Sequence, residues 1–415
     1  MTTGKRTGFF YGWVIAVCAL LSLLVSNGMT ISGITAFDES LLKEFGWSRG
    51  GLKFRDLIQF ALSGLLAPFA GALADRFGIK RLIMAGAGLL ALCFVAYSQV
   101  SSLAMLYAIH VVIAAVLSLA GLVVSVLLVS RWFVKKRGTA IGLALVGTSL
   151  GGVLLPPLGA ALIANYGWRT AFLIEALIPL GLLVLIGILV KDSPSDMGLS
   201  PLGADTAPGA PSAALSGMTY GEALKTRTFW AIALCAMTTF YSILGVQSHL
   251  VLHLRGLGFT PAAAAGGLSM MYVAGLVGKF LFGYLADILD RKMVFVGNVT
   301  VMLLGSLCLS SMNPSLFWPF VVLFGFGWGG LYTLLQLLTM DSFGLKAGGK
   351  ILGTITVLDA LGGGLGPWVS GVLFDKTGNY QASFMVVSGL IAVALLIALS
   401  LRIPKGAGDV EAAKA

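Results

Sequence analysis

Gly71-Ala-Leu-Ala-Asp75-Arg76-Phe-Gly-Ile-Lys80-Arg81 is a short polar loop set between two long apolar runs. A second copy, Gly283-Tyr-Leu-Ala-Asp287-Ile-Leu-Asp290-Arg291-Lys292, repeats its Gly and its Asp at an offset of 212 residues. Gly159 and Gly371 keep that offset. So do Phe172 and Phe384, which close Gly167-Trp-Arg-Thr-Ala-Phe172 and Gly378-Asn-Tyr-Gln-Ala-Ser-Phe384. Four anchors at one spacing make the chain a parallel repeat of two halves. In a membrane, such a repeat places a substrate site between the halves near the bilayer midplane.

The composition says that the solvent is a membrane. Of 415 residues 58% are hydrophobic and 11% charged, with a mean hydropathy of +0.96. A soluble domain is about 45–50% apolar and about 25% charged, and a disordered chain needs low hydrophobicity. The 55 glycines are about twice the usual ~7% share, as expected where helices associate by close backbone approach. A spanning helix needs ~20 apolar residues. Such runs lie at 10–35, 52–74, 82–99, 103–130, 139–163, 170–190, 229–252, 262–286, 293–311, 316–340, 352–373 and 382–402. The first continues past Phe9–Val17 to Thr35 without a small-residue cleavage site, which predicts a retained span rather than a signal peptide. The strands of an outer-membrane barrel would alternate polar and apolar residues, and these runs do not. Cys18, Cys93, Cys235 and Cys308 sit inside apolar runs without metal-ligand spacing and read as small core residues.

Twelve spans put both termini on one side. Counted with the N-terminus in the cytoplasm, 19 Lys and Arg lie inside and 7 outside (Lys43, Arg49, Lys53, Arg55, Arg169, Arg255, Lys376), with Lys279 within a span. The positive-inside rule therefore predicts cytoplasmic termini and a multi-pass protein of the cell (inner) membrane. The Ala/Gly/Pro/Ser-rich stretch between spans six and seven reads as a linker. It divides the chain into an N-terminal six-helix half at 1–191, a cytoplasmic linker at 192–228, a C-terminal six-helix half at 229–402 and a tail at 403–415. The net charge of +10 belongs to topology, since no nucleic-acid-binding motif accompanies it. No cofactor loop, nucleophile motif or Walker Gly-Lys-Ser/Thr is present, so neither an enzyme nor an ATP-driven pump is expected. No cofactor and no metal are expected, and the carrier is expected to be monomeric.

The loop at 71–81 matches the loop-two signature of the major facilitator superfamily, and over residues 8–402 the chain resembles that superfamily. It is most similar to the monocarboxylate transporter family. Arg131-Trp-Phe-Val-Lys-Lys-Arg-Gly-Thr-Ala-Ile-Gly-Leu-Ala-Leu-Val-Gly-Thr-Ser-Leu-Gly151 resembles that family's span-five signature. Tyr11-Gly12-Trp13 resembles its opening of span one. The stretch from Gly366-Pro367 to Gly378-Asn379-Tyr380 resembles its end of span eleven. The oxalate–formate exchangers share much of this pattern. Animal members carry an Asp and an Arg one turn apart in span eight, where this chain has Gly275 and Lys279, so the cation is present and the acid is not. The span-one Lys of such members has no counterpart between Asn27 and Thr35. The resemblance implies a proton-coupled symporter of small monocarboxylates such as lactate or pyruvate, working by alternating access. The alternatives are an oxalate/formate-type anion exchanger and, from another class, a non-transporting membrane sensor. A sensor usually needs a larger cytoplasmic output domain than this linker and tail provide.

Charges inside a span are functional candidates because burying them unpaired is costly. Lys279 lies eight residues before Asp287, about 12 Å up span eight. Asp359 lies nine residues after Lys350, about 13–14 Å up span eleven. On this reading Lys279 holds the substrate carboxylate, and Asp359 holds Lys279 when the site is empty and takes the coupled proton. Tyr332, Asn27 and Tyr241 are candidate polar partners of the substrate. Gly28 and Leu145 are expected to shape the opposite wall, and His110 is a second proton-coupling candidate nearer the outer surface. His249 and His253 are read as interfacial, Glu175 and Asp56 as solvated or capped. Gly71, Asp75, Arg76, Lys80 and Arg81, with Asp287 in the second copy, are expected to cap cytoplasmic helix ends and to gate the rocking of the halves without touching substrate.

Overall fold

The structure, a computed structural model, describes residues 10–204, 217–344 and 347–401. The middle of the linker and the tail at 403–415 lie outside the described residues. The described residues are helical except for loops and two isolated bridges. Among the described residues ten apolar stretches are long enough to cross a bilayer: Gly12–Phe45, Ile79–Ser98, Leu103–Trp132, Arg137–Leu189, Arg227–Gly256, Pro261–Ile288, Arg291–Ser310, Pro314–Phe343, Lys350–Thr377 and Gln381–Ser400; Arg49–Ala67 and Phe69–Phe77, bent from each other by 62°, together make an eleventh. Arg137–Leu189 has 53 residues, about 80 Å of helix against a ~30 Å core. It turns back at Gly167, whose φ of 76° and ψ of 159° leave the helical region at little cost only for glycine. It is therefore two crossings, and the fold has twelve spans in two six-helix halves. Each half has its own hydrophobic core.

The alternation of spans gathers Arg76, Lys80, Arg81, Arg131, Lys135, Lys136, Arg137, Arg291, Lys292 and Lys350 at one end of the bundle, the basic face. The opposite end is the far face. At the basic face the loop after span two bends at Gly78, which has a φ of 83° and a Cβ position that would meet Asp192. Asp192 accepts from the Lys80 backbone N–H at 2.7 Å, and Asp75 pairs with Arg131 at 3.0 Å. The second half ties the same hairpin to the end of span ten with the charges exchanged, Arg291 to Asp341 at 2.5 Å. Gly71 has open space around it, and Arg81 and Asp287 are exposed. Arg76 lies over the ring of Phe77. These contacts join helix ends within one half.

Small residues set how closely the helices approach. A Cβ on Gly147 would lie 2.1 Å from the Leu20 carbonyl oxygen, and one on Gly151 2.6 Å from the Gly28 Cα. Spans one and five thus cross on the spaced glycines of the span-five signature, a small-xxx-small contact. Span eleven repeats the device on span seven, where Gly362 and Gly366 face the carbonyls of Met237 and Tyr241. Gly28, expected from the sequence to shape a pocket wall, takes part in this helix contact. Gly151→Val should lower the melting temperature of the purified protein, because here overpacking of ~1–3 kcal/mol meets backbone that cannot move aside. Gly142→Val, at a position with nothing within 4 Å, should leave it unchanged.

The halves meet along spans two and eleven and along spans five and eight. At the far face the Arg49 and Gly50 N–H groups donate to the Asp375 carboxylate at 2.8 and 2.6 Å. The Arg49 guanidinium lies 3.6 Å above the Phe374 ring centre. Arg255 grips Glu39 with two donors at 2.6 and 3.0 Å. Deeper in, Ser269 donates to the Val153 carbonyl at 2.8 Å. Hydrogen bonds between the halves reach as far as Lys279. Among the described residues of the spans, none joins them nearer the basic face. The bundle is closed at the far face.

Several charges lie deeper than their sequence positions suggest. Lys53 and Arg55 belong to no loop, for both are fully buried in span two. Their partner is Asp38, itself fully buried, which takes Lys53 at 2.6 Å and also Arg55. Asp56 completes the cluster at 3.7 Å from Lys53 and 3.4 Å from Arg55, so it is neither solvated nor a cap. Glu175 is buried as well. Removing Lys53 and Arg55 from the seven far-side cations leaves five against nineteen, which strengthens the charge bias.

Candidate functional site

Span one is helical from Gly12 to Asn27, then passes through a π turn at Gly28–Ser32 and a 3-10 turn at Gly33–Phe37. Hydroxyls drive the change. Thr30 donates to the Ser26 carbonyl at 2.6 Å, Ser32 to Gly28 at 3.0 Å and Thr35 to Ser32 at 2.7 Å, competing with the helix ladder. Asn27 stands half-buried at this break, with its amide 3.5 Å from the Ser26 hydroxyl.

Lys279 is carried by span eight into the seam with span five. Its Nζ donates to the Ser149 hydroxyl at 2.7 Å and to the Thr148 hydroxyl at 3.2 Å. The Trp328 ring lies 5.9 Å from Nζ, held against Gly275 where spans eight and ten cross and edge-on to Tyr272. Among the described residues no carboxylate pairs with Lys279. Leu145 is half-buried one turn before Thr148, whose hydroxyl also donates to the Leu145 carbonyl at 2.8 Å. The ammonium therefore belongs to one half and its hydroxyl partners to the other. A charge held only by neutral oxygens in a partly desolvated seam attracts an anion strongly, and hydroxyls beside it give a carboxylate further partners.

Asp359 does not neutralise Lys279, contrary to the pairing expected from helix depth. It is buried in span eleven beside a separate cavity of about 40 Å³ lined by Tyr332, Gln336, Thr339, Thr356 and Ala236. The Tyr332 hydroxyl lies against Gln336 and Thr356, with the Asp359 carboxylate nearby. Among the described residues Asp359 has neither a cation nor a hydrogen-bond donor. Equal depth on two helices says nothing about rotation around each. Span eight turns Lys279 toward span five, whereas span eleven turns Asp359 toward spans seven and ten.

The remaining candidates sit elsewhere. Tyr241 is buried on span seven, where its carbonyl packs on Gly366 of span eleven. His110 is fully buried and bonds Tyr97, with Nδ1 lacking a partner, and the Arg55 and Lys53 charges lie close. His249 bridges the Tyr380 hydroxyl at 2.9 Å and the Pro367 carbonyl at 2.8 Å, and His253, in the last turn of span seven, is buried against Tyr380 and Phe384, so both are packed inside the bundle toward its far face. Thr148, Ser149 and Trp328 were missed by the sequence reading. The first two stand in the Gly-Thr-Ser-Leu-Gly of the span-five signature, and Trp328 is an aromatic set between Gly327 and Gly329.

The sequence profile of the Major Facilitator Superfamily matches residues 18–367 and, in a second overlapping match, 268–415. The chain belongs to the major facilitator superfamily. Within it, this facilitator is 29% identical to Monocarboxylate transporter 13 of Rattus norvegicus, covering 94% of this chain and 89% of that protein. It is also 29% identical to Monocarboxylate transporter 11 of Homo sapiens, over 94% and 83%. It is 24% identical to the Oxalate:formate antiporter of Oxalobacter formigenes, over 95% and 93%. Among solved structures, its fold is similar to that of a bacterial homologue of the human lysosomal transporter Spinster, with a TM-score of 0.75 at 17% identity over 95% and 97% of the two chains.

Proposed function

We propose that this facilitator carries small monocarboxylates of the lactate and pyruvate class together with a proton, by alternating access, as a monomer in the cell (inner) membrane. The observation that carries the reading is Lys279, an ammonium at the seam of the halves whose hydrogen-bond partners are the Thr148 and Ser149 hydroxyls. An incoming carboxylate supplies the missing negative charge and shares those hydroxyls. Because the ligand then touches both halves, its binding is coupled to how they sit. One such cation suits a monoanion better than a dianion. Similarity to monocarboxylate transporters supports the substrate class. The excess of basic residues at one face supports a cytoplasmic orientation for that face and for both termini, and with that orientation closure at the far face corresponds to an inward-facing state.

Proton coupling is assigned to Asp359 in its separate cavity. Rocking of span eleven exposes the carboxyl to one side and then the other. Crossing with an uncompensated charge is unfavourable, so the loaded carrier, in which the substrate carboxylate offsets Lys279, crosses with Asp359 protonated, and the empty carrier returns with Asp359 ionised and offsetting Lys279. Tyr332 is the nearby hydroxyl that can share the proton. The deciding experiment is uptake of labelled lactate by proteoliposomes with and without an inward proton gradient. The wild type should accumulate lactate only with the gradient, and Asp359→Asn should still exchange lactate while losing the stimulation. Equal accumulation by Asp359→Asn would remove it from the coupling step and leave His110 to test. Uptake that requires an internal organic anion and ignores the gradient would establish exchange in place of symport.

A further inference from the structure

A cavity of about 180 Å³ lies between the halves at the far face, remote from Lys279. The first half contributes Glu39 and Lys43 from the end of span one and Ile163 from span five. The second contributes Val251 and Arg255 from span seven and Ala265 from span eight. Its walls are mainly apolar and its charges are gathered at one side. There Glu39 serves two cations, Lys43 at 2.7 Å and Arg255 at 2.6 Å, so the cavity carries one positive charge in excess. Arg255 is fixed by its second bond to Glu39 and by donation to the Phe259 carbonyl. The Lys43 side chain is 71% exposed and shares Glu39 with Arg255, so a ligand carboxylate at the cavity edge can take Lys43 over while Arg255 keeps Glu39.

An apolar hollow with a surplus cation at its edge suits a small carboxylic acid with a compact hydrocarbon body. Its size, below the ~300–1,000 Å³ of drug-sized sites, fits roughly ten heavy atoms. We propose that this cavity is a second organic-anion site, distinct from the transport site, and that its occupant holds the far mouth shut. The occupant touches walls from both halves, which stand together only while this face is closed. By linkage it stabilises that state and slows the turn to the other one. A small aromatic or branched carboxylate on the far side thereby inhibits the carrier without competing for Lys279.

Benzoate is a suitable probe, and equilibrium binding to the purified full-length protein in detergent reads the site independently of transport. Benzoate should bind wild type and Lys279→Ala with similar affinity. It should bind at least tenfold more weakly to Lys43→Glu, which reverses the surplus charge, and to Ala164→Leu, which fills the hollow from an exposed position. Val372 packs on Gly50 across the closed mouth, so benzoate should also slow maleimide labelling of a Val372→Cys variant. Loss of benzoate binding in Lys279→Ala would place the ligand at the transport site and overturn the proposal. So would unchanged binding by both cavity variants, or faster labelling at position 372.

Discussion

Lys279→Ala is expected to abolish high-affinity carboxylate binding while leaving a folded protein. Nζ has two neutral oxygen partners at 2.7 and 3.2 Å, and among the described residues no anion. Truncation therefore leaves no unpaired buried charge behind, only two hydroxyls able to bond each other or water. The loss falls on the ligand. Removing one member of a desolvated, hydrogen-bonded charge pair costs about 2–5 kcal/mol, a weakening of roughly 30-fold to several thousand-fold. Lys279→Arg should keep part of the affinity, because its charge survives although its planar fork does not match the Thr148 and Ser149 hydroxyls. Equilibrium lactate binding and proteoliposome uptake check the result, with the melting temperature confirming the fold. Normal transport by Lys279→Ala would remove it from the site.

The second large effect is on stability. Asp38→Ala leaves Lys53 and Arg55 fully buried, with Asp56 as the remaining acid at 3.7 and 3.4 Å. Breaking a buried ion pair from one side costs about 3–5 kcal/mol, a large part of a typical 5–15 kcal/mol total. The variant should express poorly or run as aggregate in detergent size-exclusion chromatography, with a melting temperature well below that of the wild type. Asp38→Glu should recover part of the loss, since the charge returns with one extra methylene to place. A monodisperse Asp38→Ala of normal melting temperature would show that Asp56 alone neutralises both cations. This cluster pins the end of span one to span two, close to the Arg255–Glu39 contact that closes the far face.

The sequence by itself determined the membrane, the twelve spans, the two-half repeat and the basic face. Each rests on a one-dimensional quantity: the length of an apolar run against a bilayer thickness, a constant offset of 212 between anchors, the distribution of Lys and Arg among loops. It also singles out Lys279 as a candidate, because a lone cation within an apolar run is visible without knowing its neighbours. Only the tertiary structure decided partners. Lys279 and Asp359 share a depth, yet their helices turn them to different neighbours, and rotation about a helix axis is set by packing on glycines such as Gly275 and Gly366. Lys53, Arg55 and Asp56 stand at the edge of a run where hydropathy cannot tell a loop from a buried turn. What buries them is Asp38, brought across by the π and 3-10 turns that follow Asn27. Thr148 and Ser149 were in plain view, but two hydroxyls on a helix become a candidate site only when another helix lays an ammonium against them.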